Sequence, residues 1–417
     1  MATTSQTQTV MEAEPTYTTI MLRAGHESVH RRVSTTPPRD CRPDEIPLID
    51  INGIYNDAVA RKKMAAIVKH AVERSGFFYV KNHGIDEEVI ENARQATIKF
   101  FEQSAEAKNR VSRAKSKHFN GYSGRGTTQI SPSESLDMKE SFMWQYDPKF
   151  DPEQKDAGTV PPGVKAWLRH EDFIWDGTAH IPGFQSDIIT YWQMCLKLAR
   201  SLAKVFALCE DLPEDYFARL TTYPGADGVL NYYPAALDDK EAADDGNDKV
   251  GIGAHTDLQC FTLLWQDEVG GLQVLNSDDE WIKAPPVPGT LVVNVGDFLM
   301  RMSNDRFKST VHRVYNRAAV DRYSMPFFFG FNFNETCGVL PTCVDEAHPA
   351  KYEPISCGEV CLLSLRTSLL HSIVEEWVSD IFFSLQWCRS RFQASRVDKK
   401  TGSGEQAAAA VTTRVLS

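Results

Sequence analysis

Gly251-Ile252-Gly253-Ala254-His255-Thr256-Asp257, then Lys308-Ser309-Thr310-Val311-His312-Arg313-Val314, then Arg322-Tyr323-Ser324, is the stretch on which the reading of this chain turns. A His-x-Asp pair with a distant second His is the ligand set of a mononuclear non-haem iron(II) site, in which three protein ligands leave one face of the metal open. His255 and Asp257 are two positions apart, so on extended backbone they point the same way, and His312 must come from a neighbouring strand. Arg322 carries a planar guanidinium that matches a carboxylate bidentately and stays charged at working pH. The Ser324 hydroxyl adds a further donor. Metal ligands beside a carboxylate clamp imply oxidative chemistry with molecular oxygen.

Alone, a His-x-Asp pair is a weak signal, since most such pairs are simply solvated. The surroundings strengthen it. Phe261-Thr262-Leu263-Leu264-Trp265-Gln266 reads as an apolar strand, Val292-Val293-Asn294-Val295-Gly296-Asp297 as a strand and turn, and the His312 segment as another strand.

These blocks resemble the iron(II)/2-oxoglutarate dioxygenases of the isopenicillin N synthase-like group. Asn231-Tyr232-Tyr233-Pro234 is similar to a strand of that family, as are Ile46-Pro47-Leu48-Ile49-Asp50, Gly76-Phe77-Phe78-Tyr79-Val80-Lys81-Asn82-His83-Gly84-Ile85 and Asp137-Met138-Lys139-Glu140. The resemblance runs from about residue 46 to residue 359. It implies that His255, Asp257 and His312 hold Fe(2+), that Arg322 and Ser324 take the distal carboxylate of 2-oxoglutarate, that Tyr233 hydrogen-bonds the same co-substrate, and that Asn231 lies near its chelating end. It implies O2 as oxidant and ascorbate as a supporting reductant. It also implies a mainly β fold with flanking helices, a double-stranded β-helix or jelly-roll barrel. The expected reaction is hydroxylation, desaturation or ring closure of a small organic molecule, in secondary metabolism. A relative that keeps Arg-x-Ser without using 2-oxoglutarate, such as isopenicillin N synthase or aminocyclopropane carboxylate oxidase, is the nearest rival. A non-catalytic jelly-roll binding protein is a more distant one, with no need of an open iron face.

For the substrate, Phe328 lies four positions after Ser324, so strand alternation puts it on the face of Arg322 and Ser324. In family members an aromatic at that place stacks on the substrate. Tyr122, on a glycine-rich loop with Gly121, Gly124 and Gly126, is the candidate for the opposite wall, although a surface loop explains it as well. His83 and His348 are read as structural and loop residues.

The rest of the composition sets bounds. Net charge is −11, with no Lys/Arg-rich block, which argues against nucleic acid as a partner. The nine Cys include no C-x-x-C pair and read as free thiols of a reducing compartment, the cytoplasm. No run of roughly 18 uncharged apolar residues exists, and no membrane partner is expected. Four regions are expected: a disordered leader over 1–44, rich in Thr, Ser, Arg and Pro; an amino-terminal helical and mixed region over 45–225, with helices near 58–73, 87–104 and 184–208; a jelly-roll core over 226–359, interrupted by an acidic loop over 237–249; and an atypical carboxy-terminal helix and disordered tail over 360–417. The apolar stretch 360–388 reads either as a genuine added helix or as retained intron sequence.

Overall fold

The computed structural model describes residues 16–24, 27–154, 159–235 and 249–360. Fifteen of the seventeen strands among the described residues build the two main sheets and the leader hairpin: β1 Tyr17–Ala24, β2 Glu27–Ser34, β3 Arg39–Asp40, β4 Leu48–Asp50, β5 Phe77–Lys81, β6 Gly121–Ser123, β7 Glu140–Trp144, β8 Pro224–Tyr233, β9 Ile252–His255, β10 Phe261–Gln266, β11 Leu272–Leu275, β12 Trp281–Lys283, β13 Thr290–Val295, β14 His312–Val314 and β15 Arg322–Asn332. An eight-stranded sheet has the order β4-β5-β13-β10-β15-β8-β7-β6, and a five-stranded sheet the order β3-β12-β11-β14-β9. The first contains strands from both sides of residue 225, so the amino-terminal region is woven into the barrel wall.

Strand alternation sorts the apolar residues into three layers. Phe77, Tyr79, Tyr233, Leu272, Val274, Ile282, Val292 and Val314 come from both sheets and form the barrel interior. On the other face of the large sheet, Phe78, Phe142, Leu230, Met325, Phe327 and Phe329 pack with α1 (Ala58–Arg74), α2 (Glu87–Phe101) and the long helix Phe184–Cys209. That helix is pinned to the sheet: Tyr191 Oη donates to the Met325 carbonyl and Trp192 Nε1 to the Ala226 carbonyl. The three helices lie close to the positions that the 3.6-residue periodicity predicts. Asp57 caps α1, its carboxylate accepting from the Val59 and Ala60 amides.

The third layer corrects the disordered leader. β1 and β2 pair as an antiparallel hairpin, with Ile20 opposite Arg31 and Leu22 opposite Val29. Ile20, Leu22 and Val33 cluster with Ala254, Leu275, Trp281 and Val311, the outward side chains of the small sheet. Ser133 Oγ accepts from the Met21 amide, which ties the hairpin to the chain before β7. No helix covers that side of the small sheet among the described residues, so the leader supplies its apolar cover. The period-two pattern of Ile20, Leu22, Val29 and Val33 was diluted by Thr and Arg on the solvent face.

His83 is buried and structural, its Nδ1 accepting from the Ile85 amide. His348 lies in an exposed loop against Asp345. Cys41, Cys195, Cys209, Cys260, Cys337 and Cys343 carry free thiols. Most of the acidic loop and nearly all of the carboxy-terminal stretch, including the alternatives for 360–388, fall outside the described residues. No helix among the described residues is long and apolar enough to cross a membrane.

The hairpin packing gives a test. Leu22→Ala is expected to lose about 2–3 kcal/mol, the cost of a buried leucine at a partly collapsible site. Denaturant titration checks it; an unchanged midpoint would mean that the hairpin does not cover the small sheet in solution.

Candidate functional site

The two sheets meet at a carboxylate. His255 ends β9 and His312 opens β14, paired directly opposite one another on the small sheet. Their rings lie 4.3 Å apart between centroids. Asp257 follows β9, and its Oδ1 stands 3.7 Å from both imidazole Nε2 atoms. The three ligand atoms fall within 4.8 Å of one another. Cis donors on an ion with bonds of roughly 2.1 Å stand roughly 3 Å apart, so a small side-chain adjustment closes them on a metal.

Each donor is held by a second contact. His255 Nδ1 lies 2.8 Å from the Gly253 carbonyl and His312 Nδ1 3.1 Å from the Thr310 carbonyl. A carbonyl only accepts, so both rings carry their proton on Nδ1 and turn a bare Nε2 toward Asp257. Burial, with the His312 ring beside it, pushes His255 down to about 3, which keeps it neutral and ready to ligate. Asp257 Oδ2 accepts from Asn294 Nδ2 at 2.7 Å and from the Thr262 hydroxyl. Burial pushes the Asp257 carboxyl up, but the hydrogen bonds from Asn294 and Thr262 favour the anion, and it lies below its ordinary value and stays ionised. Two imidazoles and one carboxylate on one side of a cavity fit iron(II) with open positions.

Next to this cluster lies a cation without a carboxylate. Arg322 is 0% exposed, and its Nε and Nη1 have no hydrogen-bond partner. Nη2 reaches Gln266 Oε1 at 3.3 Å, and the guanidinium sits 4.7 Å above the Tyr233 ring. Register places Arg322 opposite Tyr233 and Ser324 opposite Asn231, with Gln266 on the other flank of Ser324. All five therefore face the barrel interior together. Burial pushes the Tyr233 phenol up, so it remains a hydroxyl donor beside Arg322 and Ser324. A fully buried, uncompensated guanidinium is strongly unfavourable unless a ligand brings the opposite charge.

The proposed substrate residues fare differently. Phe328 pairs with Thr262 on one side and Asp227 on the other, on the same face as Arg322 and Ser324. It is the one residue of β15 that is not fully buried, and its neighbour Thr262 holds Asp257. Phe328 therefore borders the metal cluster. Tyr122 does not. It pairs with Phe142, which pairs with Leu230, all on the helix-covered face. Its hydroxyl donates to Glu140 Oε2 at 2.8 Å and its ring meets Phe100. Gly121 at φ 98° starts a short strand rather than an open loop, and alternation turns Tyr122 away from the cavity. Its expected place on the opposite wall is thus a correction; Ser141 and Met143 of β7 are the inward-facing residues there. Sequence reasoning also missed Asn294, Thr262 and Gln266. Nothing in the local pattern marks them, because their roles arise from cross-strand register.

Known proteins agree with this geometry. Residues 226–331 match the 2OG-Fe(II) oxygenase superfamily, and residues 46–163 match the family described as non-haem dioxygenase in morphine synthesis N-terminal. The 2-oxoglutarate-Fe(II) type oxidoreductase ppzC of Metarhizium rileyi is 41% identical over 354 residues, 84% of this chain and 95% of that protein. The 2-oxoglutarate-Fe(II) type oxidoreductase hxnY of Emericella nidulans is 33% identical over 319 residues, 75% of this chain and 87% of its own length. Among solved structures, Neurospora crassa T7H in complex with alpha-KG and thymine superposes with a TM-score of 0.63 at 28% identity, covering 78% of this chain and 98% of that one. The chain belongs to the 2OG-Fe(II) oxygenase superfamily. It is a 2-oxoglutarate-dependent oxidoreductase with a jelly-roll fold, and its reaction draws on Fe(2+), 2-oxoglutarate and O2.

Two outcomes are expected. His255→Ala, Asp257→Ala and His312→Ala should each abolish iron retention, measured by metal analysis after gel filtration; near-normal iron in any one of them would defeat the three-ligand assignment. Asn294→Ala should keep the ligands but weaken iron affinity roughly 10–100-fold, as loss of a residue orienting a metal ligand does.

Proposed function

We infer that this chain oxidises a C–H bond of a small organic molecule of secondary metabolism, with His255, Asp257 and His312 as iron ligands. Arg322, Ser324 and Tyr233 hold the distal carboxylate of 2-oxoglutarate, and Asn231 sits by its chelating end. The observation that carries the co-substrate assignment is the buried Arg322, whose Nε and Nη1 lack partners and whose charge no carboxylate among the described residues meets at ion-pair distance. The relative at 41% identity, named a 2-oxoglutarate-Fe(II) type oxidoreductase, favours this reading over a relative that dispenses with 2-oxoglutarate. When bound, iron(II) and 2-oxoglutarate together supply an oxidant strong enough for an unactivated C–H bond.

The protein's own residues do the positioning. The two Nε2 atoms and the ionised Asp257 would hold the iron, with Phe328 bordering the cluster. Gln266 keeps the Arg322 fork turned inward, and the Tyr233 ring below it leaves only in-plane approach for a carboxylate. Phe328 offers a flat apolar surface that orients the target carbon and keeps water from the reacting face. The ppzC and hxnY relatives support a fungal oxidative role.

The direct test is succinate release from purified protein given iron(II), ascorbate, 2-oxoglutarate and a fungal metabolite extract, with oxygen-dependent mass shifts read in parallel. No succinate above a His255→Ala control would overturn the reading. Arg322→Ala should raise KM for 2-oxoglutarate by the equivalent of roughly 2–5 kcal/mol while iron stays bound. An unchanged dependence would favour the oxidase that uses no such co-substrate. Phe328→Ala should consume 2-oxoglutarate with reduced product. A large fall in Tm with unchanged coupling would instead make Phe328 a packing residue.

A further inference from the structure

Past Phe328 the inner face of the large sheet borders a cavity lined by Gln145, Arg169, Asp227 and Phe333, with Val164 and Leu168 from the segment between β7 and β8. Register ties this cavity to the metal cluster. Asp227 pairs with Phe328, Phe328 with Thr262, and the Thr262 hydroxyl donates to Asp257. Asp227 and Thr262 therefore stand two strand spacings apart, roughly 10 Å, on one face with Phe328 between them. A molecule of ordinary metabolite size spans that interval.

Two buried side-chain amides stand here with their oxygens unused. Gln145 is 3% exposed and Gln259 6%. Gln145 follows Met143 by two positions, so alternation keeps it on the inward face, and its Nε2 donates to the His118 carbonyl. Gln259 Nε2 donates to Asp227 Oδ2 at 2.9 Å. A carbonyl and a carboxylate only accept, which fixes the nitrogen of each amide toward that partner and turns the oxygen away. Neither Gln145 Oε1 nor Gln259 Oε1 has a hydrogen-bond partner among the described residues. Gln259 Oε1 lies against the paired Gly225 and Gly330: a Cβ on the first would stand 3.1 Å from it, and on the second 2.8 Å. Gly225 lines the cavity, so this oxygen borders it as well.

The charged groups of the wall already answer each other. Arg169 Nη2 lies 3.2 Å from Asp227 Oδ2, and its guanidinium stands 4.2 Å from the centre of the Phe333 ring. What the wall leaves unmet is acceptor capacity. Buried acceptors without donors are unfavourable and persist where a ligand supplies the donor. A hydroxyl donates once and brings lone pairs of its own toward these oxygens; an amide-type N–H brings none.

We propose that the substrate carries the N–H of an uncharged amide, lactam or urea, received by Gln145 Oε1 with Gln259 Oε1 as the second acceptor, so that the carbon to be oxidised lies across Phe328 toward the metal cluster. The proposal rests on the function inferred above. It makes Gln145 and Gln259 the residues that select the substrate, while Phe328 and the metal ligands serve any substrate of the right shape.

The test uses the full chain loaded with zinc(II), a diamagnetic stand-in for iron, and with 2-oxoglutarate. Benzamide, phenylurea and 5-phenylhydantoin are compared with their fully N-methylated counterparts, and with benzyl alcohol, by saturation-transfer NMR. At least one N–H probe should bind roughly tenfold or more tightly than its methylated counterpart, because methylation leaves a buried acceptor unmet. Gln145→Met, which keeps the side-chain length and removes the acceptor, should erase that preference. Leu168→Trp, which narrows the cavity and leaves both amides in place, should weaken the N–H probes. Calorimetric 2-oxoglutarate affinity should hold in both variants. N–H and N-methyl probes that bind alike, or not at all, would mean that water alone meets the two oxygens and would overturn the proposal. A preference that survives both substitutions would overturn it too, as would benzyl alcohol binding more tightly than every N–H probe. Failure of the unsubstituted chain to bind 2-oxoglutarate would defeat the functional reading itself, and is read separately by calorimetry.

Discussion

The Asp257 carboxylate is the point at which the two sheets are coupled. One oxygen is tied to the large sheet through Thr262 of β10 and Asn294 of β13. The other faces His255 and His312, both on the small sheet. A relative shift of the sheets would break two hydrogen bonds to a buried anion or separate it from both imidazoles, each costly in a dry interior. The metal cluster therefore reports on the closure of the whole barrel. The apolar interior of Phe77, Tyr79, Leu272, Val274 and Val292 fills the space beneath it and keeps the sheets at their spacing.

Around that point the cavity is organised by unpaired positive charge. Arg322 lies on the large sheet, fully buried and held by Gln266 and the Tyr233 ring. Such a group is destabilising in the empty protein and becomes favourable with a carboxylate. Its cost is tolerated because binding geometry is set in advance, which is the form that electrostatic preorganisation takes. The acidic surface implied by a net charge of −11 makes this inward-facing cationic lining the more distinctive.

The outer layers protect this arrangement unequally. Three helices cover one face of the large sheet, whereas the outward face of the small sheet relies on the β1–β2 hairpin over Trp281, Leu275 and Val311. The small sheet carries both histidines. Loss of the hairpin would expose the back of β9 and β14 and loosen the imidazoles before it disturbed the carboxylate clamp.

His255, Asp257, His312, Arg322 and Ser324 could be read directly, because their chemistry demands fixed residue types at fixed spacing and strand alternation does the rest. The long helices were legible for the same reason, since a 3.6-residue apolar repeat has few other uses. What the chain's one-dimensional pattern left undecided was which face of the wall a residue joins when its strand is short and glycine-flanked. Tyr122 and Ser141 differ only in register against β7 and β8, yet one enters the helix-side core and the other the cavity. Asn294 and Thr262 gain their roles from neighbours far away in sequence, and the leader acquires strands only because an apolar sheet face is waiting for it. Local periodicity records the side of an element that is buried; only tertiary packing decides what it is buried against.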